Sequence, residues 1–195
     1  MRFQAELPAR YLDEDEVIDY SHPKVRELAQ KFRAENRADL DFARAAFEHV
    51  RDMVTHSWDA QDGRVTLCAS DVLEQGTGLC YAKAHLLTAI LRAEGIPTGL
   101  CYQLLTDDDT TFMVHGLVAI HLNGSWHRQD PRGNKPGVDA QFSVNSEQLA
   151  WPVDPERGER DFETIYREPS PAVVAALRNA SNLFDLYRHG LPAEL

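Results

Sequence analysis

Cys80 is the residue in this chain whose position carries chemical meaning. It stands two residues after Gly78, at the start of a run whose apolar residues repeat at helical spacing. The first turn of a helix presents unpaired backbone N–H groups and the positive end of the peptide dipole, so a thiolate placed there is stabilised and its pKa lowered. The glycine two residues before it leaves room for a substrate backbone to approach the sulfur. Such a thiolate can attack a carbonyl carbon, provided that a base takes its proton and a third group orients the base. The competing reading of Cys80 is a small buried hydrophobe. Cys101, in the middle of an expected strand, and Cys68, in an irregular stretch, read as packing residues. A zinc site built from the three cysteines would need a fourth ligand, and the spacing offers none.

Eight histidines could supply the base. His22, His49 and His189 fall on expected helices far from Cys80 in sequence, and His85, five positions along the Cys80 helix, points to another face. His56 stands beside the irregular stretch and stays open. His115, in Val114-His115-Gly116, lies on an expected strand where a bare glycine leaves space beside the ring. A hairpin tests it. Asn123-Gly124 is a strong signal for a two-residue turn, which sets Leu122 opposite Ser125. Asp130 then falls opposite Leu117, on the face of the sheet that His115 also occupies two residues along. Diagonal neighbours of this kind lie roughly 7–8 Å apart, within reach of a carboxylate for an imidazole N–H. A one-residue slip would send Asp130 to the other face. The register therefore groups Cys80, His115 and Asp130 as nucleophile, base and orienting acid.

These residues need elements to hold them. Leu79, Ala82, Leu86, Leu87, Ile90 and Leu91 mark a buried central helix over 79–93, stopped by Gly95 and Pro97. Two helices precede it. Ser21 is the expected cap of the first, with Pro23 in its opening turn, and Asp39 the expected cap of the second. Residues 56–76 read as irregular. Strands are expected over 98–105, 113–122 and 125–130, then a Pro- and Gly-punctuated surface segment over 131–169. One last helix runs from the cap Ser170 to the stop Gly190. Helices followed by closely connected strands indicate an α+β domain with an antiparallel sheet.

The ordered set of motifs over residues 45–135 resembles the transglutaminase-like superfamily. It comprises Gly78-Leu79-Cys80-Tyr81-Ala82-Lys83-Ala84, Leu91-Arg92-Ala93-Glu94-Gly95-Ile96-Pro97, His115-Gly116 and Trp126-His127-Arg128-Gln129-Asp130-Pro131. The resemblance implies a papain-like (cysteine proteinase) α+β fold, with the nucleophile-bearing helix packed on an antiparallel sheet. It implies acyl transfer from an amide through a thioester, with Cys80 as nucleophile, His115 as general base and acid, and Asp130 as the residue that orients it. Members also carry an oxyanion donor upstream of the cysteine. Trp58 is the candidate through its indole N–H, and Gln75 and His56 are the alternatives. No flanking β-sandwich or barrel fits in 195 residues, and no calcium-loop pattern of spaced carboxylates is present.

The composition sets outer bounds. A net charge of −11 argues against a nucleic-acid partner, which needs a basic face to release counterions. No stretch approaches the ~20 apolar residues needed to span a bilayer. The absence of a CxxC and of a signal-peptide pattern suggests a reducing, cytoplasmic location. The expectation is one domain over 1–195, with a catalytic core over about 40–135 and an extension over 136–195 ending in a helix. Its partner would be a peptide, protein or small amide substrate, and the chemistry needs no metal or organic cofactor. A non-catalytic binding module on the same fold is the alternative, although such a module has no chemical need for all three side chains.

Overall fold

The computed structural model describes residues 3–195. In chain order it forms α1 (Pro23–Glu35), α2 (Asp39–Met53), β1 (Thr55–His56), α3 (Ala69–Gln75), β2 (Thr77–Gly78) and α4 (Cys80–Ala93). There follow β3 (Thr98–Thr106), β4 (Phe112–Leu122), β5 (Ser125–Gln129), β6 (Arg160–Asp161), α5 (Pro171–Asn179) and α6 (Leu183–His189). The four-stranded sheet has the order β5-β4-β3-β6 and is antiparallel throughout.

The architecture is organised around α4, whose residues from Cys80 to Arg92 are all buried. A helix buried on every side must be enclosed. Helices α1, α2 and α3 cover one flank of α4, and strands β3 and β4 cover the other. Its two buried cations are satisfied by backbone carbonyls. Lys83 Nζ donates to Arg51 O at 3.1 Å and to Val54 O, which ties α4 to the end of α2. Arg92 Nε donates to Thr98 O at 2.9 Å, which ties it to the start of β3. Burial, with the Arg132 cation nearby, pushes the Lys83 ammonium down to about 7.

The β4–β5 register is the one that the Asn123-Gly124 turn predicts. Leu122 pairs with Ser125 and Val118 with Gln129, and both turn residues have positive φ, 53° and 82°. The left-handed stop at Gly95 is also present, with φ 77°.

Four local expectations are corrected. His22, not Ser21, precedes the first turn of α1, and the Ser21 N–H goes to the Glu14 carboxylate at 2.9 Å. Asp39 is the first residue of α2 rather than its cap, and pairs with Arg33 at 3.1 Å. The stretch 56–76 holds the helix α3, and its flanking strands β1 and β2 pair in parallel. With Ala69 and Val72 as its buried apolar residues, α3 is too short to show a period. The C-terminal helix is broken in two, because Asn182 accepts the Phe184 N–H at 2.8 Å and so starts α6 as a new helix.

Gly116 sets how closely β4 approaches α4. A Cβ there would lie 2.8 Å from Tyr81 Cδ1 and 3.1 Å from Tyr81 Cα, in the first turn of the helix. Gly116→Ala should therefore destabilise the fold by about 1–3 kcal/mol, read as a lower urea midpoint with unchanged slope. An unchanged midpoint would mean that this contact does not set the helix–sheet spacing.

Candidate active site

Cys80 occupies the first position of α4, and the pairing of His56 with Gly78 holds the chain that leads into it. Its sulfur is nearly buried and receives the Gly116 N–H at 3.5 Å. Gly78 serves a different purpose from the one its spacing suggested. A Cβ on it would stand 3.0 Å from Thr66 Oγ1 and 3.1 Å from Ala82 Cβ, so the missing side chain lets β2 pack on its neighbours.

His115 and Asp130 meet as the register predicts. His115 Nε2 lies 2.8 Å from Asp130 Oδ2. Asp130 has no solvent exposure, and its charge is met by donors on both oxygens. The Ala150 N–H donates to Oδ2 and the Arg132 N–H to Oδ1, each at 3.1 Å. Burial alone would raise this carboxyl group, but the His115 cation and these N–H groups hold it below the ordinary carboxylate range. Burial likewise pushes the imidazolium down, yet the Asp130 carboxylate, the adjacent Cys80 sulfur and the hydrogen bonds to both hold it up at about 10. With Nε2 taken by Asp130, Nδ1 is the nitrogen left to face the sulfur. Trp151 stands edge-on to the imidazole, with ring centroids 5.1 Å apart.

Cys80 and His115 open into a cavity of about 460 Å³, which His56, Trp58, Arg132 and Trp151 also line. Arg132 is buried, forks onto Asp59 with bonds of 2.5 and 3.0 Å, and lies 5.0 Å from the centre of the Trp151 ring. Lys135 joins the same carboxylate at 3.0 Å. His56 is buried, and its Nδ1 lacks a hydrogen-bond partner. Burial and the Arg132 cation hold its imidazole well below its ordinary range, so it is neutral. Trp58 lines the cavity with its ring stacked on Tyr187. Gln75 is turned onto Asp71 and does not line the cavity. Cys101 is buried in the sheet, where burial pushes its thiol up to about 12, and Cys68 Sγ lies 3.5 Å from Ser70 Oγ. Among the described residues, no three His, Cys, Asp or Glu side chains cluster as metal ligands.

Ala150, Trp151 and Tyr187 were not foreseen at the site. They come from segments with no periodic pattern or from a helix distant in sequence. Arg132 follows Asp130-Pro131 directly, and its proximity to the acid was the one available signal.

The family model described as the transglutaminase-like superfamily matches residues 26–131, more than half of the chain. Among solved structures, a candidate cysteine protease from Cytophaga hutchinsonii is similar, with a TM-score of 0.52 and 19% identity over 63% of this chain and 40% of that one. The periplasmic domain of TgpA from Pseudomonas aeruginosa aligns with a TM-score of 0.48 and 18% identity, over 64% of this chain and 46% of that one. Both matches span less than half of the other protein. No curated protein matches the sequence significantly. The fold is the papain-like α+β arrangement that the motifs implied, and no helix among the described residues is long and apolar enough to cross a membrane.

The His115–Asp130 pair gives the folding equilibrium a pH signature. His115 is held above its ordinary value of 6.5, so its contribution is complete below pH 6.5 and fades as the pH rises toward about 10. Asp130 is held below its ordinary value of 3.8, so its contribution is present above that value and is lost under acid. Stability measured by urea titration should decline between pH 6.5 and 10, and Asp130→Asn should flatten most of that decline. A wild-type profile that is flat in this window would show that the pair is not charged.

Proposed function

This chain belongs to the transglutaminase-like superfamily, and from that premise we propose that it is a thiol-dependent amide hydrolase or acyltransferase working through a thioester. The observation that carries the reading is the fixed imidazole. One nitrogen of His115 is bonded at 2.8 Å to a buried carboxylate, and the ring shares a cavity with the sulfur of Cys80.

In this mechanism the Cys80 thiol proton resides on His115 Nδ1, which makes the ring the imidazolium that Asp130 stabilises, and the thiolate sulfur attacks the carbonyl carbon of a peptide, protein or small amide. The carbonyl oxygen takes up negative charge at the start of α4, where the first backbone N–H groups, that of Cys80 among them, have no partner within the helix. The Trp58 indole N–H is the proposed second donor, and the neutral His56 imidazole lines the same cavity. The C–N bond then breaks as the imidazolium delivers its proton to the departing amine. Water attacks the thioester in the hydrolytic outcome, and an amine attacks it in the transfer outcome. In either case His115 takes the proton of the attacking group and keeps it as the Cys80 thiolate is released, which restores the starting pair. Asp130 keeps the ring in one tautomer and balances the imidazolium in each half-reaction.

No metal or organic cofactor enters any step. All three cysteines are free thiols, and a reducing, cytoplasmic location would keep the nucleophile available. The net charge of −11 disfavours a nucleic-acid substrate.

Alkylation of the folded protein tests the reading. Iodoacetamide should modify Cys80 at pH 6.5 faster than it modifies a free thiol, and His115→Ala should abolish that advantage. The same variant should lower kcat/KM on peptide amides by about 10²- to 10⁴-fold, and Cys80→Ala should show no turnover. A Cys80 that is inert in the folded protein, or equally reactive without His115, would refute the proposal.

A further inference from the structure

Residues 26–131, the span of the family match, do not complete the cavity above Cys80. Its remaining wall comes from the C-terminal segment. The Tyr187 ring, on α6, lies flat on Trp58 at 3.9 Å with an interplanar angle of 8°, and Phe184 meets the same indole edge-on. Beyond α6 the chain turns back to the sheet, where the Pro192 carbonyl accepts the Val114 N–H at 2.7 Å.

That bond fixes Leu191 relative to the reacting sulfur. Along a strand, the N–H groups of residues i and i+2 face the same edge. The Gly116 N–H, two residues beyond Val114, points at Cys80 Sγ. Strand β5 covers this edge of β4 only from Val118 onward, through its pairing with Gln129. The tail therefore docks on the uncovered stretch of edge that leads to the nucleophile, and it holds Leu191 at the cavity wall.

The lining has a definite chemical character. Leu79, Leu105 and Met113 face the cavity together with Trp58, Tyr187 and Leu191. The cations that line it are paired, His115 by Asp130, Arg132 and Lys135 by Asp59, and Arg157 by Asp109 and Glu159, although the Nε of Arg132 has no partner of its own. Among the described residues no cation without a carboxylate partner lines the cavity, and Asp107 and Asp154, which also line it, repel an anionic group.

We propose that this subsite receives the group adjacent to the scissile carbonyl, that the group is bulky, apolar and uncharged, and that Leu191 and Tyr187 are the residues that select it. The proposal rests on the thioester reading of Cys80. Burying an apolar side chain of leucine or phenylalanine size is worth about tenfold or more in discrimination.

Affinity labels of Cys80 test it independently of turnover. In N-acetyl-phenylalanyl and N-acetyl-aspartyl chloromethyl ketones, the sulfur attacks the chloromethyl carbon and expels chloride. Their labelling rates are measured by intact mass, corrected for their rates with free cysteine, and expressed relative to each protein's own rate with iodoacetamide. The wild type should favour the phenylalanyl label by about tenfold or more. Leu191→Ala and Tyr187→Ala should each erode that ratio several-fold, Tyr187→Phe should keep it, and Leu191→Arg should move it toward the aspartyl label. Equal rates in the wild type, or a ratio that Leu191→Arg does not move, would overturn the subsite while leaving the nucleophile intact. Failure of iodoacetamide itself would overturn the thioester reading instead.

Discussion

A carboxylate with no exposure to solvent must find its solvation within the protein, and Asp130 is where this chain meets that requirement. It receives the ring N–H of His115, the backbone N–H of Arg132 and the backbone N–H of Ala150. An isolated buried charge of this kind would cost several kcal/mol, so the donors are conditions for folding as well as for chemistry. Each comes from a different part of the fold: the long strand β4, the turn after β5, and a loop residue twenty positions beyond Asp130. Satisfying one carboxylate thus draws the β4–β5 hairpin and the aperiodic segment after it into a single arrangement, with His115 at its centre and Trp151 against its ring.

The helix that carries the sulfur is fixed by a separate constraint. Because α4 is buried along nearly its whole length, it cannot rotate or slide without exposing apolar surface. Gly116 removes the one side chain that would hold β4 away from the first turn, and Tyr81 occupies the space and donates its hydroxyl to Val114 O. Cys80 and His115 therefore approach each other because helix and sheet are each rigid for their own reasons. The glycine at their contact sets the gap between them. The C-terminal tail then closes the cavity from outside this frame, through Tyr187 on Trp58 and Pro192 on Val114.

What could be read from the sequence follows the range of the interactions. Cys80, His115 and Asp130 were legible because each depends on a local rule. A helix start follows a glycine, a strand carries a histidine, and a two-residue turn sets the parity of the hairpin. The Asn123-Gly124 turn alone was enough to put Asp130 on the face occupied by His115. Helix α3 was not legible, since seven residues give no period, and the break before α6 was hidden because Asn182 also fits a helical stretch. Ala150, Trp151, Tyr187 and Leu191 reach the site across long separations, by packing that no window of sequence records. Gly78 was read for its missing side chain but given the wrong neighbour, since Thr66 and Ala82, and not a substrate backbone, stand where a Cβ would be.

The account stands on a covalent bond that forms at one sulfur. The most direct measurement is mass analysis of acid-quenched protein during turnover of a peptide amide with an apolar acyl group. The account predicts a mass increase equal to that acyl group, located by digestion on the peptide that contains Cys80 and removed by hydroxylamine, as a thioester is. Turnover with no adduct on Cys80, or with the adduct on another residue, would contradict it.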